Sequence, residues 1–206
     1  MYKFIDNKTL RTELRNKAEH IIFALQKELK QYFTFSYKLI GSGETRLMTV
    51  NGKDNSIDLD YNLLLQRDKR QLASNPKMIK ELFLKSLKKI CGKNSKVSDS
   101  TQVITCNLGK IDKYKFSIDF AILYEGNDCF FYKIVNDKTY QPTRYIWNKV
   151  PQSKNFEEKF RIVKQKCWED LKKRYLEKKN RNLRLNSKKT SFSLLIETMN
   201  ELIQSL

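Results

Sequence analysis

The sequence predicts an α+β fold, a mixed or antiparallel sheet flanked by helices and followed by a C-terminal helical segment. Three observations carry this. The chain opens on a long stretch with hydrophobic residues at helical spacing. Its middle holds short apolar or alternating runs separated by turn residues. Its last quarter returns to helical spacing with dense charge.

The first element is a helix over about Thr9 to Phe33. Leu10, Leu14, Ala18, Ile21, Leu25 and Leu29 form its buried stripe, and Asn7 is placed to cap it. Phe35 to Ile40 reads as the first core strand and runs into the turn Gly41-Ser42-Gly43. Thr45 to Val50 followed by Asn51-Gly52 reads as a strand and a tight hairpin turn. A second strand covers about Ser56 to Gln66. Ser74-Asn75-Pro76 opens a helix to about Cys91, with Met78, Leu82, Phe83, Leu87 and Ile90 inward.

Gln102 to Asn107 and Lys113 to Tyr124 read as an antiparallel pair joined around Gly109. Gly126-Asn127 turns into a strand from about Asp128 to Val135. Asn136 to Ser153 reads as a loop holding Tyr140, Arg144, Tyr145 and Trp147. Aromatics beside arginine can stack on a base. Equally, Tyr145 and Trp147 can plug a gap between the sheet and the C-terminal helices. Phe156 to about Lys179 reads as one charged helix with Phe160, Val163, Cys167, Leu171 and Tyr175 on its apolar face. It runs into the densest basic stretch, Lys178 to Lys189, with Lys178, Lys179 and Arg181 as candidate phosphate contacts or as part of a solvated linker. Ser191 to Leu206 closes the chain as an amphipathic helix. The expected organisation is a catalytic core over 1–150 and a helical segment over 151–206, in one compact unit.

Chemistry concentrates on three aspartates. Aspartate is depleted in strands, so Asp58 and Asp60 inside an apolar run need a reason. In a strand both side chains point to one face, while Ile57, Leu59 and Tyr61 point to the other. Two carboxylates side by side repel unless a cation lies between them, and magnesium (or manganese) prefers such oxygen ligands. Asp119 sits mid-strand between Ile118 and Phe120, where a lone carboxylate is costly to ionise. That cost falls if its strand lies beside Asp58 and Asp60 and the three share metal ions. Gly41, Ser42 and Gly43 offer backbone N–H groups and a hydroxyl for phosphates. The bland alternative puts Asp58 and Asp60 toward solvent on an edge strand, with Asp119 paired to a lysine.

The order Gly41-Ser42, then Asp58-x-Asp60, then Asp119 resembles the nucleotidyltransferase superfamily, with its DNA polymerase beta-like fold. Within it, the chain resembles the branch of oligoadenylate synthases and bacterial cyclic-nucleotide synthases. The resemblance covers about Tyr32 to Tyr124. It implies transfer of a nucleoside monophosphate from a nucleoside triphosphate such as ATP to a hydroxyl, with pyrophosphate leaving. It implies that Asp58 and Asp60 hold the metal on the triphosphate, and that Asp119 helps with a second metal and the acceptor hydroxyl. The segment from Ser42 to Asp58 is longer than most members show, and it does not read as the short helix usual there.

The chain has 206 residues and a formal charge of +18, with a pI near 9.7. Such a field attracts phosphates and polyanions, which favours RNA or nucleotides as partners over a cationic acceptor. A lysine-rich background composition accounts for part of it. No apolar run reaches the length of a membrane span and no signal-peptide pattern opens the chain, so a cytoplasmic protein without membrane contact is expected. The four cysteines include no CxxC pair, and Cys106 and Cys129 read as small hydrophobes in strands. One histidine, His20, leaves histidine triads and structural zinc without their main ingredient. Two further readings compete with the enzyme: a catalytically inactive module of the same fold that binds RNA or nucleotides, and a helical interaction protein in which the acidic strand residues are incidental.

Overall fold

The computed structural model describes residues 1–137, 139, 144–151, 155–187 and 189–206. The chain divides into two compact units. One comprises Asp6–Arg46 and Asn55–Val150; the other comprises Met1–Ile5, Leu47–Asp54 and Pro151–Leu206.

The larger unit is a sheet with helices on one face. Its first helix, α1 (Lys8–Leu29), is capped by the Asn7 side chain, which accepts from the Leu10 N–H at 3.0 Å. Leu10, Leu14, Ala18, Ile22, Leu25 and Leu29 are buried. The fourth position of the stripe is therefore Ile22 rather than Ile21. β2 (Phe33–Ile40) follows, then a short helix α2 (Gly41–Thr45). The long strand β4 (Ser56–Asp68) returns antiparallel to β2. A helical turn at Leu72–Ser74 leads to α3 (Pro76–Cys91), capped by Asn75 with Pro76 in its first turn. α3 buries Ile79, Phe83 and Leu87, while Met78 is exposed, so its inward face is rotated from the expected one.

β5 (Lys96–Asp99), β6 (Ile104–Ile111) and β7 (Tyr114–Glu125) come next. β6 and β7 are antiparallel as expected. Their turn is at Asp112-Lys113, and Gly109, with φ +82°, lies where the register shifts within β6. β8 spans Phe131–Asp137, and Cys129 is exposed in the turn before it rather than buried in a strand. The expected loop over 136–153 holds a strand, β9 (Arg144–Lys149), paired antiparallel to β8. Tyr140 lies outside the described residues.

Among the described residues the sheet has seven strands in the order β2-β4-β7-β6-β5, with β8 on β7 and β9 on β8. β4 and β7 are parallel, and every other pairing is antiparallel. The helix-covered face carries Ile57, Leu59, Tyr61 and Leu63 from β4 and Phe116, Ile118 and Phe120 from β7, all buried. Phe83 of α3 stacks on Phe33 and packs against Phe35. Alternation then sends Asp58, Asp60, Ser117 and Asp119 to the opposite face.

The smaller unit is built from distant segments. β1 (Tyr2–Phe4) pairs antiparallel with β3 (Thr49–Asn51). Three helices complete it: α4 (Phe156–Lys166), α5 (Trp168–Arg184) and α6 (Ser191–Gln204). The single helix expected over 156–179 is thus two, broken at Cys167. Leu47, Val163, Leu171, Tyr175, Leu194, Leu195, Met199 and Leu202 form its core. Among the described residues no helix is long and apolar enough to cross a membrane.

Candidate active site

β4 and β7 run parallel in a register that sets Asp58 opposite Ser117 and Asp60 opposite Asp119. Neighbouring strands lie about 4.8 Å apart and alternate residues of one strand about 6.6 Å apart. Three carboxylates therefore share one face, with the backbones of Asp58 and Asp119 about 8 Å apart along the diagonal. Asp119 is on the same side as the other pair, and β4 and β7 are both interior strands. The edge strand of the bland alternative does not occur, although Asp58 is itself exposed, and among the described residues no lysine pairs with Asp119.

Two hydroxyls hold two of these carboxylates. Thr105 on β6 lies opposite Asp119 and donates to its Oδ1 at 2.6 Å. Ser117 donates to Asp58 Oδ1. Ser100 Oγ lies 3.3 Å from Thr105 Oγ1 and extends the chain of hydroxyls. Among the described residues Asp60 has no such hydroxyl donor, but it has the glycine turn. Ile40, the last residue of β2, is the register partner of Asp60, so Gly41 begins α2 against it. Gly41 has φ +65°, and a Cβ there would lie 3.0 Å from Asp60 Oδ2. The conformation favours glycine at this position, and any Cβ would push on the Asp60 carboxylate. Gly43 packs closely: a Cβ would meet Leu39 Cδ1 at 2.9 Å and Leu59 Cδ2 at 3.0 Å, so those side-chain ends would have to shift. Ser42 is half-buried, and its carbonyl accepts the Arg46 N–H that closes the helical turn. The short helix is thus present, where a strand from Thr45 was expected. Thr45 Oγ1 bonds back to the Gly41 carbonyl at 2.8 Å and Arg46 ends the turn in the left-handed region, so only Thr49–Asn51 is extended.

The carboxylates strain one another electrostatically. Burial, then the charges of Asp119 and Asp58, push the Asp60 carboxyl up to about 6. Burial also raises Asp119, with the Thr105 hydrogen bond opposing and Asp58 adding to the rise. Each anion therefore penalises its neighbours, and a hard divalent cation would relieve them. Among the described residues no three or more His, Cys, Asp and Glu side chains form a metal cage by themselves. Carboxylates at strand spacing suit an ion that keeps waters and takes further oxygens from a bound triphosphate, as magnesium and manganese do.

Arg144 and Tyr145 lie on β9, Arg144 opposite Asp137. Tyr145 donates to Asp99 Oδ2 at 2.7 Å, and burial followed by that bond pushes its hydroxyl up to about 12. Asp99 pairs with Ile104 and Ile104 with Phe120, so Asp99 faces the α3 side, away from Asp119. There it meets the wholly buried Lys80 at 3.3 Å, an ion-pair distance at angles poor for a hydrogen bond, and Asn136 Nδ2 at 3.2 Å. Trp147 packs edge-on against Tyr124 at 4.5 Å and donates to the Ala73 carbonyl. Both aromatics are packing groups of this unit.

Lys178, Lys179 and Arg181 belong to the smaller unit. Lys178 binds Glu201 at 2.5 Å. Lys179 is buried, donates to Thr49 Oγ1 at 2.7 Å and lies over the Tyr2 ring, and burial pushes it down to about 8. Arg181 is exposed on α5. Thr105 and Ser117 were not anticipated from the sequence. Ser117 was within reach, since it stands two residues before Asp119 and must share its face.

No protein-family model and no curated protein sequence matches the chain. Solved structures do. A Vibrio cholerae dinucleotide cyclase, DncV, in complex with ATP and GTP superposes with a TM-score of 0.69 at 12% identity, over 96% of this chain and 69% of that one. The CdnE c-di-GMP synthase of Capnocytophaga granulosa gives 0.62 at 14% identity, over 94% and 60%. CdnC of E. coli MS115-1, solved with ATP, gives 0.57 at 11% identity, over 96% and 61%. The chain thus spans less than two thirds of the CdnE and CdnC chains. Identities this low speak to architecture, and they agree on it: the chain has the nucleotidyltransferase fold of the bacterial cyclic-nucleotide synthases.

Proposed function

We propose that the chain is a nucleotidyltransferase that moves a nucleoside monophosphate from a nucleoside triphosphate to a hydroxyl, on a second nucleotide or an RNA end, with pyrophosphate leaving. The observation that carries this is the parallel register of β4 and β7, which sets Asp60 opposite Asp119 beside the Gly41 turn. Asp58, Asp60 and Asp119 would hold magnesium or manganese, which when bound supplies charge neutralisation for the phosphates. The N–H groups of Ser42 and Gly43 and the Ser42 hydroxyl bind phosphate oxygens. Thr105 fixes Oδ1 of Asp119. Oδ2 is then left to accept the proton of the acceptor hydroxyl. A nucleotide acceptor is favoured by the likeness to DncV, CdnE and CdnC; an RNA end is favoured by the charge of +18.

Labelled triphosphates with magnesium, followed by mass spectrometry of the products, test the proposal. Label transfer with pyrophosphate release in the wild type, lost in Asp60→Asn, is expected. The second reading, an inactive module of this fold, draws on the same charge. It is the correct one if RNA binds tightly and salt-sensitively while no triphosphate is ever consumed.

A further inference from the structure

Asp119 is held by a hydroxyl that is itself held. Thr105 on β6 has one hydroxyl proton and gives it to Asp119 Oδ1 at 2.6 Å. Ser100 Oγ lies 3.3 Å from the same Thr105 oxygen. With the threonine proton committed to an ionised Asp119, Ser100 is the donor of this second bond and Thr105 its acceptor. The result is a directed chain, Ser100 to Thr105 to carboxylate, in which each bond polarises the next.

The turn that carries Ser100 is pinned on both sides. Asp99 and Ile104 are register partners and close the β5–β6 hairpin around it. The Ser100 N–H donates to the Val103 carbonyl at 3.0 Å, and the Thr101 carbonyl accepts from the Asn136 N–H at 2.7 Å. Directly before Ser100, one oxygen of Asp99 accepts from Tyr145 and Asn136, and the other faces buried Lys80 at 3.3 Å. Ser100 itself is half-buried.

We propose that Ser100 is a positioning residue for nucleotidyl transfer. By filling the acceptor site of Thr105 it fixes the rotation of that hydroxyl, so that the Thr105 proton stays on Asp119 Oδ1 and the carboxylate keeps one orientation. The assignment rests on the reading of Asp58, Asp60 and Asp119 as the catalytic carboxylates. It adds to them a residue that acts only through Thr105. Ser98 provides a control. It is the register partner of Thr105 on β5 and so lies on the same face, yet among the described residues no hydrogen bond joins the two.

The test is manganese binding by the full chain without nucleotide, followed by calorimetry, with turnover measured alongside. Ser100→Ala should raise the manganese dissociation constant about three- to tenfold, as for the loss of one ordinary hydrogen bond. It should lower kcat by a similar factor and leave the KM for the triphosphate unchanged. Ser100→Thr should restore both values, and Ser98→Ala should change neither. The sharpest comparison is made in Thr105→Val, where Ser100→Ala should have no further effect on manganese, because its path to Asp119 is already cut. A further loss in that background, equal effects of Ser100→Ala and Ser98→Ala, or wild-type affinity in Ser100→Ala would each overturn the assignment alone. A wild type that takes up no manganese overturns the reading of the site together with it. If manganese binds but no triphosphate is consumed, the reading as an enzyme falls, and the assignment to nucleotidyl transfer falls with it. If Ser100→Ala does not fold, Ser100→Cys, a weaker donor, carries the same comparison.

Discussion

Asp60 concentrates the conflict between stability and chemistry. Its folded pKa of about 6 stands above the ordinary carboxylate value of about 3.9. The folded state therefore binds its proton more tightly than the unfolded state does. Below about pH 4 both states are protonated and nothing is lost. The penalty grows from about pH 4 to about pH 6 and is constant above. Asp60→Asn removes it, so the variant should be more stable by about 2–3 kcal/mol at pH 7 in the absence of metal, and no more stable near pH 3.5. Denaturant titrations at the two pH values check this. Thr105→Val leaves Asp119 without its donor. It should weaken manganese binding and metal-dependent turnover by about 10-fold to 100-fold, given about 1.5–3 kcal/mol for a hydrogen bond to a charge. Thr105→Ser should restore both, and a calorimetric manganese titration separates this from a folding defect. The aspartates were legible because each breaks a composition rule inside an apolar strand. Thr105 was not, because a threonine in a strand breaks none and its role depends on which residue β7 places opposite.

Elements were legible where period and punctuation agree. α1 and α3 have asparagine caps and unbroken stripes, and only the side of the stripe was misplaced, Ile22 for Ile21. The break at Cys167 has no Gly or Pro, but it does have a charge signal. Lys164 and Lys166 close α4, and Glu169 and Asp170 open α5, each suited to the helix end it occupies. β9 escaped because six residues beside a proline-containing segment carry too little alternation to stand out. What secures that region is the Asp99 cluster, which joins α3, β5, β8 and β9 through Lys80, Asn136 and Tyr145. No hydrophobic pattern announces such a cluster. Lys80→Met strands a buried carboxylate and should cost about 3–5 kcal/mol. Lys80→Met combined with Asp99→Asn should recover part of that, measured as a double-mutant cycle in urea.

At the scale of the molecule, a charge of +18 and a carboxylate cluster make opposite demands on ligands. The surface attracts any polyanion, and that attraction falls steeply with salt as counterions are released. The cluster accepts an anion only when divalent cations come with it. The two behaviours separate in one thermal experiment. A ligand that binds only the native chain stabilises it by about 2.7 kcal/mol at a hundred times its dissociation constant. For a chain of this length that is a rise of about 5–10 °C. Magnesium with ATP should produce such a rise at 150 mM salt, and EDTA should remove it. Asp60→Asn should not show it, although it starts from a higher melting temperature without metal. RNA, held by the general field, should stabilise wild type and variant alike at low salt and neither at high salt. If ATP stabilises both proteins equally and without magnesium, the triphosphate is held by lysines alone and the three aspartates have no part in binding it.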